Sequence, residues 1–440
     1  MIRHENPTLR EVKPLIKLSI PLIIGLAAAT LIGVVDTIMI APLGTVPLAA
    51  AGITTAFLII LISALWGLLT VASVRISQAH GRGDDARVAT ELRAALASGC
   101  LAGICAMALM LLAFPLLGTI GQPAEVITIL FPYWASMALW VIPFMAFFTF
   151  KALFDAVGHE WTGVTLSYLG VLVNIPANYL FIHVFGLGLL GAGLASVLSQ
   201  STALIGALFF WRFSRAMAPF RQAVGLRARQ VVGLLRESFP VCIGYAGEGG
   251  AYALVGIMMG WLGATALAAN QVVNAIGGVS YMFPLGIAGA VSIRVGHAVG
   301  GATRDRLRPI LKAGIGIAVV WQSGIALLFI LFGGAAARAF SDDAEVIALA
   351  TLLFLIVAVL QIADGIQGTA LGALRGISDN TAPTNITLFA YWLIALPLAY
   401  FLAFGLAYGA LGLWAGYISG LAIAAALLPW RYWIKTKQGA

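Results

Sequence analysis

Long apolar runs separated by short polar breaks extend along nearly the whole chain. Each run is long enough to cross about 30 Å of hydrocarbon as an α-helix. The pattern predicts about twelve membrane spans of this kind. Six lie in the first half of the chain, near residues 14–40, 47–76, 93–119, 124–150, 161–184 and 190–213. Six lie in the second half, near residues 232–261, 264–293, 309–335, 345–373, 384–406 and 408–432.

The composition agrees with an all-α polytopic membrane protein. Of the 440 residues, 61% are hydrophobic and only 10% are charged, whereas a soluble domain carries about 25% charged residues. The 50 glycines lie mostly within apolar runs, where small residues let membrane helices pack closely.

The basic residues predict the orientation of the spans. With the N-terminus placed inside, every Lys and Arg from Arg3 to Lys437, except Arg338, falls in a segment predicted to be cytoplasmic. This distribution follows the positive-inside rule, so both termini are predicted to be cytoplasmic. The net charge of +8 is then explained by anionic lipid headgroups, and no nucleic-acid partner is expected.

The chain contains an internal repeat. Residues 19–87 match residues 238–306 at a constant offset of 219 without a gap. A unit of six helices is even in number, so both copies enter the membrane from the same side as parallel repeats. The sequence therefore predicts an N-terminal lobe over 1–211, a cytoplasmic linker over 212–231 and a C-terminal lobe over 232–440. Two such lobes suit transport by alternating access.

Three acidic residues interrupt the apolar runs, namely Asp36, Glu248 and Asp364. An acid at the centre of a membrane helix costs roughly 2.5–3.5 kcal/mol on insertion scales, and such residues commonly mark ion and substrate pathways. At the repeat offset Asp36 aligns with Val255, and Glu248 aligns with Ala29. Because neither acid recurs in the other copy, we expect each to have a role specific to its lobe.

Asp36 is expected to have two amide neighbours. Asn174 and Asn178 lie one turn apart on the fifth helix and therefore share a face. A carboxylate with two amides forms an oxygen-rich site suited to a proton or a hard cation, so these residues form a candidate Na⁺ site. The alternatives are an interfacial acid that reaches water and asparagines that only hydrogen-bond between helices.

Glu248 and Asp364 are candidates in the second copy. Tyr245 and Tyr252 lie three and four residues from Glu248, and a carboxylate with nearby rings suits an organic cation. The alternative for Glu248 is a hydrogen bond between helices. Asp364 would need to bind a proton if it is a proton carrier and to stay charged if it binds sodium, and the sequence leaves both open. Further polar side chains are candidates for cavity lining or for bonds between helices: Asn270, Gln271, Asn274, Gln361 and Gln367.

The sequence gives no indication of an enzyme. We find no nucleotide-binding P-loop and no catalytic or metal-ligand spacing, so no cofactor is expected beyond a coupling ion. No interior Arg or Lys is expected either. A lipid or lipid-linked sugar flippase would favour a cationic cavity for phosphate headgroups, which makes this alternative less favoured.

Several segments resemble the multidrug and toxic compound extrusion (MATE) family, and its NorM-like branch in particular. Phe283-Pro284-Leu285-Gly286 through Ser292-Ile293-Arg294-Val295-Gly296-His297 is similar to the helix 8 motif of that family. Three further segments resemble its first, fifth and tenth helices: Val35-Asp36-Thr37-Ile38-Met39, Asn174-Ile175-Pro176-Ala177-Asn178 and Ala363-Asp364-Gly365-Ile366-Gln367.

The resemblance implies a multidrug efflux antiporter of the bacterial inner membrane. Such a protein exports lipophilic organic cations in exchange for Na⁺ or H⁺, and we expect it to act as a monomer. The resemblance implies that Asp36, Glu248 and Asp364 bind cations and substrate, and that Asn174 and Asn178 belong to the ion site. Some sodium-coupled relatives have a tyrosine one turn before the helix 10 acid, where this chain has Leu360. A sodium site in the C-terminal lobe with the same ligands is therefore not expected here. The alternatives are a flippase of the same superfamily, a membrane-embedded enzyme and a channel.

Overall fold

The computed structural model describes residues 6–119, 123–222 and 225–437. Within these ranges the chain is almost entirely helical and contains no strand. Twelve helices are long and apolar enough to cross a membrane, which confirms the predicted fold class. Arg3 and the linker residues 223–224 lie outside the described residues, and the predicted orientation of the termini remains a prediction.

The twelve helical spans are numbered in chain order. The first six are α1 (Pro7–Leu43), α2 (Thr45–Gly81), α3 (Asp85–Thr119), α4 (Ala124–Ala156), α5 (Glu160–Val184) and α6 (Gly188–Phe213). The second six are α7 (Ala228–Trp261), α8 (Ala264–Gly300), α9 (Arg304–Phe340), α10 (Ala344–Gly376), α11 (Thr381–Gly405) and α12 (Gly409–Lys437). Most are several residues longer than the apolar runs alone predict, because polar residues continue the helices beyond these runs.

The turns at the helix ends follow from local sequence. Gly44 between α1 and α2 has φ 109°, and Gly263 between α7 and α8 has φ 111°. Glycine adopts such a φ without the steric penalty of a side chain, and the two positions are related by the repeat offset. Asp84 and Asp343 cap α3 and α10, each accepting a bond of 2.8 Å from a backbone N–H in the first turn.

The contacts divide the chain into two compact units. The N unit consists of Ile24–Cys242, and the C unit consists of Met1–Ile23 together with Ile243–Ala440. The division falls inside α1 and α7, so each of these helices belongs to both units. The lobes predicted from the sequence divide in loops instead, and their boundaries remain a prediction.

Each unit has its own hydrophobic core. In the N unit, α4 packs against α2, α3 and α6, and its Phe147 and Phe154 are almost fully buried. In the C unit, α10 packs against α8, α9 and α12, and its Phe354 is fully buried. The central helix of each unit is thus the fourth helix of its repeat.

Equivalent arginines in the two repeats form ion pairs with acids in the N-terminal parts of α1 and α7. In the N unit, Arg75 Nη2 lies 2.7 Å from Glu237 Oε1 on α7. At the repeat offset from Arg75, Arg294 in the C unit bonds Glu11 Oε2 on α1 at 2.6 Å. Arg306 bonds the other oxygen of Glu11 at 2.7 Å. These pairs fix the start of α1 to the C unit and the start of α7 to the N unit.

Candidate functional site

The N unit contains a carboxylate surrounded by neutral hydrogen-bond donors. Asp36 on α1 accepts bonds through Oδ1 from Nδ2 of Asn174 at 3.1 Å and from Nδ2 of Asn178 at 2.8 Å, both on α5. Its other oxygen accepts a bond of 2.7 Å from the Ser196 hydroxyl on α6. The structure thus brings together the three residues that the sequence predicted as an ion site and adds a fourth ligand group.

The buried side of this site contains an unused acceptor. Asn174 and Asn178 are 0% exposed, and Ser196 is 2% exposed. Asn178 also donates to Asn174 Oδ1 at 3.0 Å, but its own Oδ1 has no hydrogen-bond partner among the described residues. A buried polar atom without a partner costs roughly 1–3 kcal/mol, so this oxygen is suited to an additional ligand.

The amide groups are present in one repeat only. The N-terminal segment Asn174-Ile175-Pro176 corresponds to Ala395-Leu396-Pro397 on α11. Ala395 is 0% exposed and therefore occupies a packed, apolar position. The C unit accordingly has no counterpart of Asn174 at this site, which agrees with the predicted asymmetry.

The C unit contains two acids close to one another. Glu248 on α7 accepts a long bond of 3.4 Å from Gln367 Nε2 on α10. Asp364 lies three residues before Gln367 on the same helix and is 8% exposed. The two carboxylates are close enough to interact electrostatically. A proton or a cation bound at either of them would relieve the repulsion between like charges.

Tyrosines surround these two acids. Tyr281, Tyr391 and Tyr417 each lie near enough to both carboxylates to interact with them electrostatically. The Tyr391 hydroxyl donates to Gln367 Oε1 at 2.9 Å. Rings beside carboxylates offer both charge pairing and cation–π contact to an organic cation. The sequence analysis missed these three tyrosines because aromatic residues are common in apolar helices and carry no distinguishing pattern.

Most of the other predicted polar residues form bonds between helices. Tyr252 donates to Asn274 Oδ1 at 2.6 Å, and Trp414 donates to Asn270 Oδ1 at 3.1 Å. Gln361 accepts a bond of 3.0 Å from Gln322 on α9. Gln271 is exposed. Whether any of these residues lines a transport cavity remains a prediction.

The expectation that no Arg or Lys lies in the interior was wrong. Arg375 near the end of α10 is 7% exposed; its Nη1 donates to the Tyr245 hydroxyl at 2.6 Å, and its guanidinium lies 4.3 Å from the centre of that ring. Lys151 on α4 is 6% exposed, and its Nζ lies 2.7 Å from Asp155 Oδ2. Both bases were assigned to cytoplasmic segments because the sequence does not give the depth of a residue at a helix end. Tyr245, which the sequence analysis placed beside Glu248, therefore contacts Arg375.

The twelve apolar spans define a polytopic membrane protein. A family model named MatE matches residues 21–180 and 240–401, and so covers both repeats. The probable multidrug resistance protein NorM of Xanthomonas axonopodis pv. citri is 32% identical over 94% of this chain and 92% of that protein. The multidrug resistance protein NorM of Burkholderia vietnamiensis is 31% identical over 96% and 94% of the two chains.

The chain belongs to the MATE family. Its bacterial relatives and its twelve spans make it a multi-pass bacterial membrane transporter. Among solved structures, the eukaryotic MATE transporter AtDTX14 has a TM-score of 0.89 at 20% identity and covers 98% of this chain and 99% of its own. A MOP superfamily transporter from Pyrococcus furiosus has a TM-score of 0.85 at 21% identity, covering 98% and 96% of the two chains. These two likenesses show the shared fold.

Proposed function

We propose that the protein is a multidrug efflux antiporter that exports lipophilic organic cations in exchange for Na⁺ or H⁺. The observation that carries this proposal is the environment of Asp36. Its hydrogen-bond partners among the described residues, Asn174, Asn178 and Ser196, are all neutral. Its negative charge is therefore not neutralised by a basic side chain and is available to an ion or a proton.

The oxygens around Asp36 fit a small hard cation. The carboxylate, the unpartnered Oδ1 of Asn178 and the hydroxyl of Ser196 are the ligand types that such ions prefer. The same carboxylate can bind a proton instead. In either case, binding neutralises the charge of a half-buried carboxylate, and this change is what couples the ion to the transport cycle.

The C unit provides the features expected for the drug. Glu248 and Asp364 supply negative charge, and the tyrosines near them supply ring faces. For exchange to occur, the drug and the ion must be negatively coupled, either through shared charge or through the conformational equilibrium. The related NorM proteins are named as multidrug resistance proteins, which supports this substrate class. Alternating access of the two lobes would then carry the drug out and the ion in.

The flippase alternative is not favoured by the buried bases. Lys151 is paired with Asp155, and Arg375 contacts Tyr245. Both bases are thus engaged by side chains of the protein, and Arg375 also interacts electrostatically with Glu248. The acids near Tyr391 instead favour a cationic substrate.

The test is drug efflux from proteoliposomes loaded with ethidium. An inward Na⁺ gradient is imposed at matched pH, and then an inward proton gradient is imposed without Na⁺, with the membrane potential clamped each time. We expect one gradient to drive efflux and so to identify the ion. Asp36→Asn, Glu248→Gln and Asp364→Asn should abolish this efflux, whereas Glu125→Gln, which changes an exposed acid, should not. Normal efflux by all three variants would refute the proposal.

A further inference from the structure

An apolar groove lies between α5 and α6 in the N unit, at the end of the helices that carries the basic linker. It encloses about 650 Å³, which is within the range of ligand-sized cavities. Trp161 and Thr165 line it from α5, and Phe209 and Phe213 line it from α6. These α6 residues lie one turn apart, so their rings form a continuous wall, with centroids 4.7 Å apart.

Gly206 makes room for this groove. A Cβ placed at this position would meet the side chain of Leu166, so any larger residue would fill the space between the two helices. The rings on either side are largely exposed: Trp161 is 53% exposed, and Phe209 and Phe213 are each 64% exposed. An exposed apolar groove on a membrane-spanning helix pair is suited to an acyl chain, and aromatic side chains are enriched at the depth of lipid headgroups.

Two exposed arginines flank the groove-lining residues Phe213 and Ser214 in the chain. Arg212 is exposed, and its guanidinium lies 5.5 Å from the centre of the Phe213 ring. Ser214 lines the groove, and Arg215 follows it as the first residue of the short 3-10 helix Arg215–Arg221. Both guanidinium groups therefore extend from a segment that borders the apolar wall.

The segment that carries these arginines is fixed in place. Arg221 donates to the carbonyl oxygen of Ser214 at 2.6 Å and also to that of Arg212. Met217, in the same short helix, is 0% exposed and anchors it to the N unit. The backbone that carries the two arginines is therefore held next to the groove, so little backbone entropy is lost when they bind a ligand.

We propose that this groove binds an anionic phospholipid, with an acyl chain along the aromatic wall and the phosphate against Arg212 and Arg215. Arginine pairs with phosphate in a bidentate geometry. Phosphatidylcholine carries the same phosphate, but its quaternary ammonium cancels the charge and would be repelled by the arginines, so a lipid with net negative charge is favoured. Glu160 precedes the groove-lining Trp161 at the start of α5, and its negative charge opposes the binding of an anion there. Because Glu160 repels an anion, its replacement by a neutral residue should strengthen the binding of an anionic lipid, whereas loss of an arginine should weaken it.

The experiment is native mass spectrometry of the full-length protein in detergent, titrated with phosphatidylglycerol or phosphatidylcholine of the same acyl chains. We expect phosphatidylglycerol to be retained in preference. Each basic residue near an anionic headgroup contributes about 1 kcal/mol, so Arg212→Gln with Arg215→Gln should weaken retention roughly 30-fold. Glu160→Gln should strengthen it roughly fivefold by the same reasoning.

Matched controls distinguish lipid binding in the groove from non-specific attraction of anionic lipid to the basic surface. Arg229→Gln with Arg236→Gln removes two exposed arginines of α7 and should leave retention unchanged. Thr165→Trp fills the groove from an exposed position and should reduce retention while thermal unfolding stays as in the wild type. Glycerol phosphate in excess should not displace the lipid, since it lacks an acyl chain.

Three results would overturn the proposal. Equal retention of the two lipids would mean ordinary contact with surrounding lipid. Equal loss in the two double arginine variants would mean attraction by net charge alone. Displacement by glycerol phosphate, with Thr165→Trp unaffected, would mean a phosphate site in which the groove has no part.

Discussion

Asn178 donates a hydrogen bond of 2.8 Å to Asp36 while its own amide oxygen, buried in the N unit, has no partner among the described residues. One residue thus satisfies the carboxylate and presents a free acceptor beside it. A cation that entered the site would find both oxygens available. A cation bound at this pair would therefore change the hydrogen bonding of α1 and α5 together.

Removal of the Asn178 amide should weaken the binding of Na⁺, because its free Oδ1 is an oxygen ligand beside the carboxylate. A polar contact to a charged group contributes about 1.5–3 kcal/mol, so Asn178→Leu should raise the Na⁺ concentration that half-saturates efflux roughly tenfold or more. Leucine keeps a similar volume and limits the change in packing. The measurement is the rate of ethidium efflux from proteoliposomes as a function of the external Na⁺ concentration.

Ser199→Ala is the matched control for this prediction. Ser199 is a buried residue of α6 in the same unit, but its hydroxyl donates to the Gly170 carbonyl at 2.7 Å and not to Asp36. Its removal should leave the half-saturating ion concentration unchanged. If the two variants shifted this concentration equally, Asn178 would have no direct part in ion binding.

The ion pairs formed by the equivalent arginines Arg75 and Arg294 should differ in their contribution to stability. Glu11 has a side chain that is 4% exposed and pairs with both Arg294 and Arg306. Its replacement by Gln weakens two charge-assisted bonds to a buried group, so we expect a loss of about 2–3 kcal/mol. Glu237 is 46% exposed, and Glu237→Gln should lower stability by less than about 1 kcal/mol because water screens that pair.

Denaturant unfolding in detergent measures both losses. The wild type and the two variants are compared under one set of conditions, so that only differences are interpreted. Equal losses would show that burial does not set the strength of these pairs. A larger loss for Glu237→Gln would contradict the prediction outright.

The buried pair Lys151–Asp155 should show strong coupling between its members. The two side chains are 8% and 9% exposed, and the atoms are 2.7 Å apart. Asp155→Asn would leave an ammonium group buried without a counter-charge, which costs about 3–5 kcal/mol. Lys151→Met with Asp155→Leu removes both charges and should recover most of this loss. A double-mutant cycle by denaturant unfolding measures the coupling, and additive losses would contradict it.

The sequence predicted the fold well, because the apolar runs indicate the number of helices and the internal repeat indicates two copies of a six-helix unit. It also predicted that Asn174 and Asn178 are neighbours of Asp36, since they are polar residues on one face of an apolar helix. Ser196 was not predicted, because serine is common in membrane helices and can bond its own backbone. Its role as a donor to Asp36 depends on the packing of α6, which no local pattern records.

Other features depend on depth and on contacts across the chain. Lys151 and Arg375 were counted as cytoplasmic because charge patterns locate helix ends but not burial within a turn or two of them. The sequence also did not predict that the boundary between the two units falls inside α1 and α7. A hydrophobic run predicts one continuous helix, whereas contacts between distant parts of the chain, such as Arg294 with Glu11, show which unit each half of that helix packs against.

A glycine pair on α2 tests this packing of α7 against the N unit. A Cβ at Gly67 would lie 2.7 Å from Cα of Cys242, a backbone atom of α7 that cannot move aside without displacing the helix. Gly67→Ala should therefore destabilise the protein by about 1–3 kcal/mol through overpacking. At Gly52, on the same helix, a Cβ would meet nothing within 4 Å, so Gly52→Ala should be neutral or stabilise by up to about 1 kcal/mol. Denaturant unfolding of the two variants in detergent decides the matter, since both make the same chemical change on one helix. If Gly67→Ala were as stable as Gly52→Ala, α7 would not approach α2 as closely as the structure shows.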